Sequence, residues 1–259
     1  MHPQLDFVIF EVSAYRVFSI LALIVVVAGS YLYARKRSFN SLDAIVMLVC
    51  MGIAAFIGAR VFNLLVHFDW YLEDPTRFFS LNFEGFSLYG GALFAGLAGF
   101  VVARLRKVKI LKFADTVIPF VGIGIAIMRI GCFLNGCCFG KETDLPWGVK
   151  FPALSQSHVH HISENLFNLG TLQAVHPTQI YELIAALIGT VLAFVLIKKK
   201  KPAGTAFFGF IAWFSLFRLF NMQLRVLPYS DFITFYFYPI LYVLIIILCV
   251  FYILKLNKK

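Results

Sequence analysis

The run YELIAALIGTVLAFVLIKKKK, Tyr181–Lys201, sets one carboxylate and four lysines at opposite ends of an uncharged apolar segment. A helix of that composition has its natural solvent in a bilayer, whose hydrocarbon core takes about 20 residues to cross. Six further stretches read the same way. Together the seven cover 15–34, 43–66, 87–104, 113–132, 176–197, 203–222 and 232–254. The third is the shortest and is rich in glycine. The 259 residues are 61% hydrophobic and only 14% charged, against about 25% charged in soluble domains. One water-solvated core has no room for so much apolar surface. The sequence therefore predicts an all-α polytopic membrane protein. Residues 1–259 are expected to form one membrane domain, with 133–175 as an outer-face cap. The first residues do not read as a cleavable signal, because no basic segment opens them and Asp6 and Glu11 precede the first apolar run.

Lysine and arginine give the orientation. Arg35, Lys36 and Arg37 follow the first stretch. Arg104, Arg106, Lys107, Lys109 and Lys112 follow the third, Lys198–Lys201 the fifth, and Lys255, Lys258 and Lys259 the seventh. Fifteen of the 23 basic residues thus fall on one side, and the positive-inside rule makes that side cytoplasmic. The N-terminus is then expected outside and the C-terminus inside. A net charge of +10 carried by such flanks is no nucleic-acid footprint, and no nucleic-acid partner is expected. The outer connections fall near 67–86, with Trp70 and Tyr71 as interface anchors, over 133–175, and near Arg225–Ser230. The cap carries Trp147, Phe151 and Phe167.

Ionisable residues inside apolar spans are costly and usually functional. Here they are Arg60, Arg129, Glu182 and Arg218. On this topology all four lie towards the outer ends of their helices. Arg60 is about 9 Å of helix short of Val66 at 1.5 Å per residue. Snorkelling to water is the plain reading of any one arginine, and a structural ion pair the plain reading of Glu182. Three arginines against one carboxylate nevertheless leave positive charge in a low dielectric, which favours an anion. At head-group depth the available anion is a lipid phosphate, which guanidinium binds in bidentate fashion. A transporter would place its charges nearer the midplane, between repeats, and no repeat is evident.

Three local patterns stand out: Ser87-Leu88-Tyr89-Gly90-Gly91; Arg129-Ile130-Gly131-Cys132-Phe133-Leu134-Asn135-Gly136-Cys137-Cys138-Phe139-Gly140 followed by Pro146-Trp147-Gly148; and His176-Pro177-Thr178-Gln179-Ile180-Tyr181-Glu182. Paired glycines admit either a close ligand or a close helix. With Gly58-Ala59-Arg60, and Phe217-Arg218 with Arg225 seven residues after the arginine, their order resembles the bacterial prolipoprotein diacylglyceryl transferases over most of the chain.

That resemblance implies a multi-pass enzyme of the bacterial cytoplasmic (inner) membrane. Its partners would be membrane lipids, phosphatidylglycerol and the lipobox of a prolipoprotein signal peptide. The diacylglyceryl group would pass from phosphatidylglycerol to the lipobox cysteine thiol, and glycerol-1-phosphate would leave. Arg129 and Arg218 would stabilise the leaving phosphate, with Tyr89 and His176 as proton-handling groups. Arg60, Arg129, Asn135, Gly140, Gly90, Gly91, Glu182, Tyr15 and Arg225 would bind substrate. No cofactor or metal enters this scheme.

The chain departs from the family pattern at four places. Tyr89 stands where the family usually has His, Cys132 where it has Asn, Cys137 where it has Glu, and Met222 where it commonly has Glu. The alternatives are a related lipid-moiety transferase with another acceptor, or a non-catalytic lipid-binding membrane protein on the same scaffold. Of the five cysteines, Cys50 and Cys249 read as helix filler. For Cys132, Cys137 and Cys138 three readings stay open: small packing residues, a disulfide, or a reactive-thiol or metal site with His158, His160, His161 or His176. Their spacing matches no standard zinc pattern.

Overall fold

The computed structural model describes residues 4–7, 10–66, 68–74, 76, 87–153, 155–164, 172–227 and 231–258. Every predicted apolar stretch is a helix: α1 Ala14–Lys36, α2 Ser41–Val66, α4 Leu88–Leu105, α5 Ile110–Leu134, α7 Thr178–Lys198, α8 Thr205–Leu224 and α9 Tyr238–Asn257. Short helices α3 (Phe68–Glu73) and α6 (Gln156–Glu164) lie in the connections, and a π-helical segment, Ile233–Phe237, leads into α9. Among the described residues six helices are long and apolar enough to cross a membrane, and the apolar part of α4 is shorter. This is an all-α multi-pass membrane protein. In a bilayer each helix satisfies its own backbone polar groups, so the apolar side chains left on the surface face lipid instead of forming one core.

The sequence reading missed an antiparallel hairpin before α1, in which β1 (Gln4–Phe7) pairs with β2 (Phe10–Ser13). Its signal was a short polar/apolar alternation, Leu5-Asp6-Phe7 and Phe10-Glu11-Val12. The side chain of Trp70, all of Phe167 and Ser230, the side chain of His161 and most of 67–86 lie outside the described residues.

The chain forms two compact units, Val27–Thr116 and Met1–Val26 with Val117–Lys259. In the first, α2 and α4 pack through small residues. A β-carbon on Gly90 would collide with the Gly58 carbonyl oxygen and the Phe62 side chain, and one on Gly58 would collide with Phe94. Ser87 N–H reaches across to the Ala59 carbonyl at 3.1 Å. Small residues of this kind let membrane helices approach until their backbones touch. At the other end of this unit, Arg106 Nη2 meets Asp43 Oδ1 at 2.7 Å, and Arg37 Nη1 donates to Thr116 Oγ1 at 3.0 Å. Asn40 caps α2, its Oδ1 accepting from Leu42 N–H at 2.8 Å.

In the second unit α5, α7 and α8 pack around Ile118, Ala193, Ala206 and Phe210. Pro119 interrupts the hydrogen-bond ladder of α5, and Thr190 Oγ1 lies 3.3 Å from its carbonyl and 2.9 Å from that of Ala186. Trp213 Nε1 donates to Ala185 O at 2.8 Å, joining α8 to α7.

Beyond the ends of these helices runs a small backbone lattice. β3 (Val149–Lys150) pairs with β4 (Ala174–Val175), Gly140 N–H donates to His176 O at 3.0 Å, and Lys141 N–H donates to Leu224 O at 2.7 Å. It ties the end of α5 to the start of α7 and the end of α8, over an apolar patch of Phe133, Phe139, Phe151, Val175 and Val226.

Substituting Gly58 by Val is expected to destabilise the protein by about 2 kcal/mol or more, because the added atoms have nowhere to go. Gly52, where an added β-carbon would meet nothing within 4 Å, should accept Ala at no cost. Thermal melting of the two variants in detergent distinguishes them, and equal melting temperatures would refute tight α2–α4 packing.

Candidate anion site

Glu182 lies one turn into α7 and is 1% exposed. A carboxylate buried in an apolar bundle must find cations, and it finds three. Arg129 of α5 brings Nε to Oε2 at 2.5 Å. Arg218 of α8 brings Nη1 to Oε1 at 2.6 Å, and Arg225, at the end of α8, brings Nη1 to the same oxygen at 3.3 Å. Asn221 adds Nδ2 at 3.1 Å. The C-terminal ends of α5 and α8 and the N-terminal end of α7 therefore meet on one side chain. Arg218 is held from its other side, where Nε donates to Tyr242 Oη at 3.2 Å.

Among the described residues three guanidinium groups share the Glu182 carboxylate, an excess of positive charge in a low-dielectric setting. Desolvating a charge costs several kcal/mol unless a partner offsets it. Arg225 Nε is buried and has no hydrogen-bond partner among the described residues, and neither has Asn221 Oδ1. An unused guanidinium donor beside surplus positive charge is what an anionic group requires.

Of the residues expected to bind or react, Arg129, Glu182, Arg218 and Arg225 come together here. His176 does not join the ion pairs: its Nδ1 lies 3.3 Å from Tyr181 Oη, which accepts from Trp147 Nε1 at 2.8 Å. Gly140 serves the lattice, since a β-carbon there would press within 2.6 Å of His176 O and 2.8 Å of Leu224 O. Asn135 Oδ1 lies 3.5 Å from Ser13 Oγ, and the first turn of α1, with Tyr15, packs against Gly131. Arg60, Tyr89, Gly90 and Gly91 belong to the other unit, where Arg60 is buried in α2 and the glycines sit against α2.

Sequence reasoning overlooked Asn221 and Tyr242. Asn221 had a signal, as an amide three residues after Arg218 on the same face of an apolar helix. Tyr242 had none, because one tyrosine among the aromatics of the seventh stretch looks like its neighbours.

The loop after α5 carries two of the cysteines, and all five in the chain are free thiols. Cys137 and Cys138 lie past the helix end. Hydrogen bonding with Cys132 and Cys137 lowers the Cys138 thiol well below its usual range, helped by the Arg225 and Arg129 charges. Cys137 is pushed up by the same hydrogen bonding with Cys132 and Cys138, and by burial.

Fold and site together define a polytopic membrane protein with a buried cationic centre. The family model for prolipoprotein diacylglyceryl transferase matches residues 4–255, and the chain belongs to that family. Its relatives include proteins named phosphatidylglycerol–prolipoprotein diacylglyceryl transferase. One from Geobacter sulfurreducens is 30% identical over 83% of this chain and 80% of its own length. One from Pasteurella multocida is 31% identical over 83% and 77%, and one from Clostridium tetani 29% over 87% and 86%.

Replacing Glu182 by Gln removes the carboxylate shared by the buried Arg129 and the partly buried Arg218 and Arg225. The expected loss is about 3–5 kcal/mol of stability, partly recovered when Arg129 is also changed to Met. Denaturant or thermal unfolding of the single and double variants measures the coupling. Additive effects would show that Glu182 and Arg129 do not depend on each other.

Proposed function

We propose that this chain transfers the diacylglyceryl group of phosphatidylglycerol to the cysteine thiol of a prolipoprotein lipobox, in the bacterial inner membrane. The observation that carries the reading is the excess of guanidinium around Glu182, with Arg225 Nε left without an acceptor among the described residues. The names of the relatives supply the substrates. The orientation follows from the basic flanks: N-terminus outside, C-terminus cytoplasmic, and 133–175 as part of one membrane domain's outer face.

In this reaction the acceptor sulfur forms a bond to the glyceryl carbon while the bond from that carbon to the phosphate oxygen breaks. The acceptor thiol gives up its proton, and glycerol-1-phosphate departs with more negative charge than the diester held. Arg129, Arg218 and Arg225 offset that charge as it grows, in a setting where water does not screen them. Glu182 holds the arginines in place and keeps the three cations from standing unopposed before substrate arrives. His176 handles the proton, while Tyr15 and Asn135 contact the lipid.

The purified protein, given phosphatidylglycerol and a lipobox peptide, is expected to yield the thioether peptide and free glycerol phosphate. Arg129→Ala and Arg225→Ala should each lower the rate by about 10²–10³-fold. Mass spectrometry of the peptide reads the product. Lipid turnover with an unmodified peptide would favour a different acceptor, and stable lipid binding without turnover a non-catalytic role.

A further inference from the structure

The function proposed above makes no use of Cys132, Cys137 and Cys138, yet their three sulfur atoms lie within 4.8 Å of one another. The backbone puts them there. Gly136, at φ +68°, ends α5 with a left-handed residue, and Cys138 takes φ +62°, which few non-glycine residues adopt. Cys137 N–H turns back onto Cys132 O at 3.1 Å. Two side chains from the first turn of α7 then clamp the loop: Gln179 Nε2 donates to Cys137 O at 2.7 Å, and Thr178 Oγ1 donates to Cys138 O at 2.8 Å. The thiols are thus gathered chiefly by backbone and α7 anchors, to which Cys137 Sγ adds a contact with Cys132 O at 3.6 Å. Arg129 Nη1 stands 3.5 Å from Cys132 Sγ.

We propose that Cys132, Cys137 and Cys138 form a three-thiolate site for a soft monovalent cation of the copper(I) class.

Thiolate–metal bonds of about 2.3 Å in a trigonal plane separate their sulfurs by about 4.0 Å, so closing the cluster on an ion takes movements of under an ångström. Among the described residues no histidine or carboxylate belongs to the cluster. A three-sulfur set without nitrogen or oxygen selects soft copper(I), whereas zinc usually takes a fourth ligand. Charge agrees with this choice. Binding forms three sulfur–copper bonds and releases to solvent whatever protons the three thiols carry, giving a complex of charge −2. Arg129, which touches both Glu182 and Cys132, sets a positive charge beside the three sulfurs.

The test titrates the full-length, reduced protein in detergent with copper(I) held as its coloured bicinchoninate complex. One copper per chain should be withdrawn from the dye, and X-ray absorption should show a shell of three sulfurs. Cys137→Ser/Cys138→Ser should weaken uptake by at least 100-fold, while Cys50→Ser/Cys249→Ser leaves it unchanged. No uptake by the unaltered protein, a two-sulfur shell, or full uptake by the Cys137→Ser/Cys138→Ser protein would each overturn the assignment. Because absorption is measured on the unaltered chain, the outcome stands even if a variant fails to fold.

Discussion

One carboxylate, that of Glu182, organises the end of the bundle formed by α5, α7 and α8. It is buried, so it must be paired, and its partners come from two different helices. Breaking a buried pair leaves a charge with neither water nor counterion, which makes the arrangement cooperative. Arg129 and Arg218 could not occupy apolar helices without Glu182. Equally, Glu182 could not begin α7 inside the bundle without them. The leftover positive charge is the property that the proposed function draws on.

Around that centre the backbone does the positioning. Pro119 and Thr190 adjust α5 against α7, and Trp213 fastens α8 to α7. The lattice through Gly140, His176 and Leu224 fixes where α5 ends and where α7 begins. Arg225, the last residue to reach Glu182, is itself part of that lattice through its bridge to Gly140. The glycine matters because two carbonyl oxygens occupy the space a side chain would need. A charged centre of this kind depends on rigid supports more than on the number of charged groups.

Much of this was legible in the residues. Seven apolar stretches gave seven helices, because the period and length of an apolar run leave a membrane chain few alternatives. Charges inside those runs marked Arg60, Arg129, Glu182 and Arg218 as unusual; Arg129 and Arg218 meet Glu182, whereas Arg60 is buried in α2. Hidden were the features that depend on tertiary closeness. Asn221 and Tyr242 are ordinary residues until Glu182 and Arg218 stand beside them. The gathering of Cys132 with Cys137 and Cys138 needed the two left-handed residues of the loop, which sequence spacing does not reveal. The resemblance implied a proton-handling role for His176, and only the structure shows that its ring meets Tyr181.

The central claim is that the arginines around Glu182 hold a lipid phosphate. Native mass spectrometry of the protein released from nanodiscs containing phosphatidylglycerol and an excess of phosphatidylcholine tests it most directly. The account predicts one phosphatidylglycerol retained per chain, displaced by added glycerol phosphate and lost in a folded Arg129→Ala/Arg225→Ala protein. Retention that ignores the added phosphate and survives loss of both arginines would contradict it.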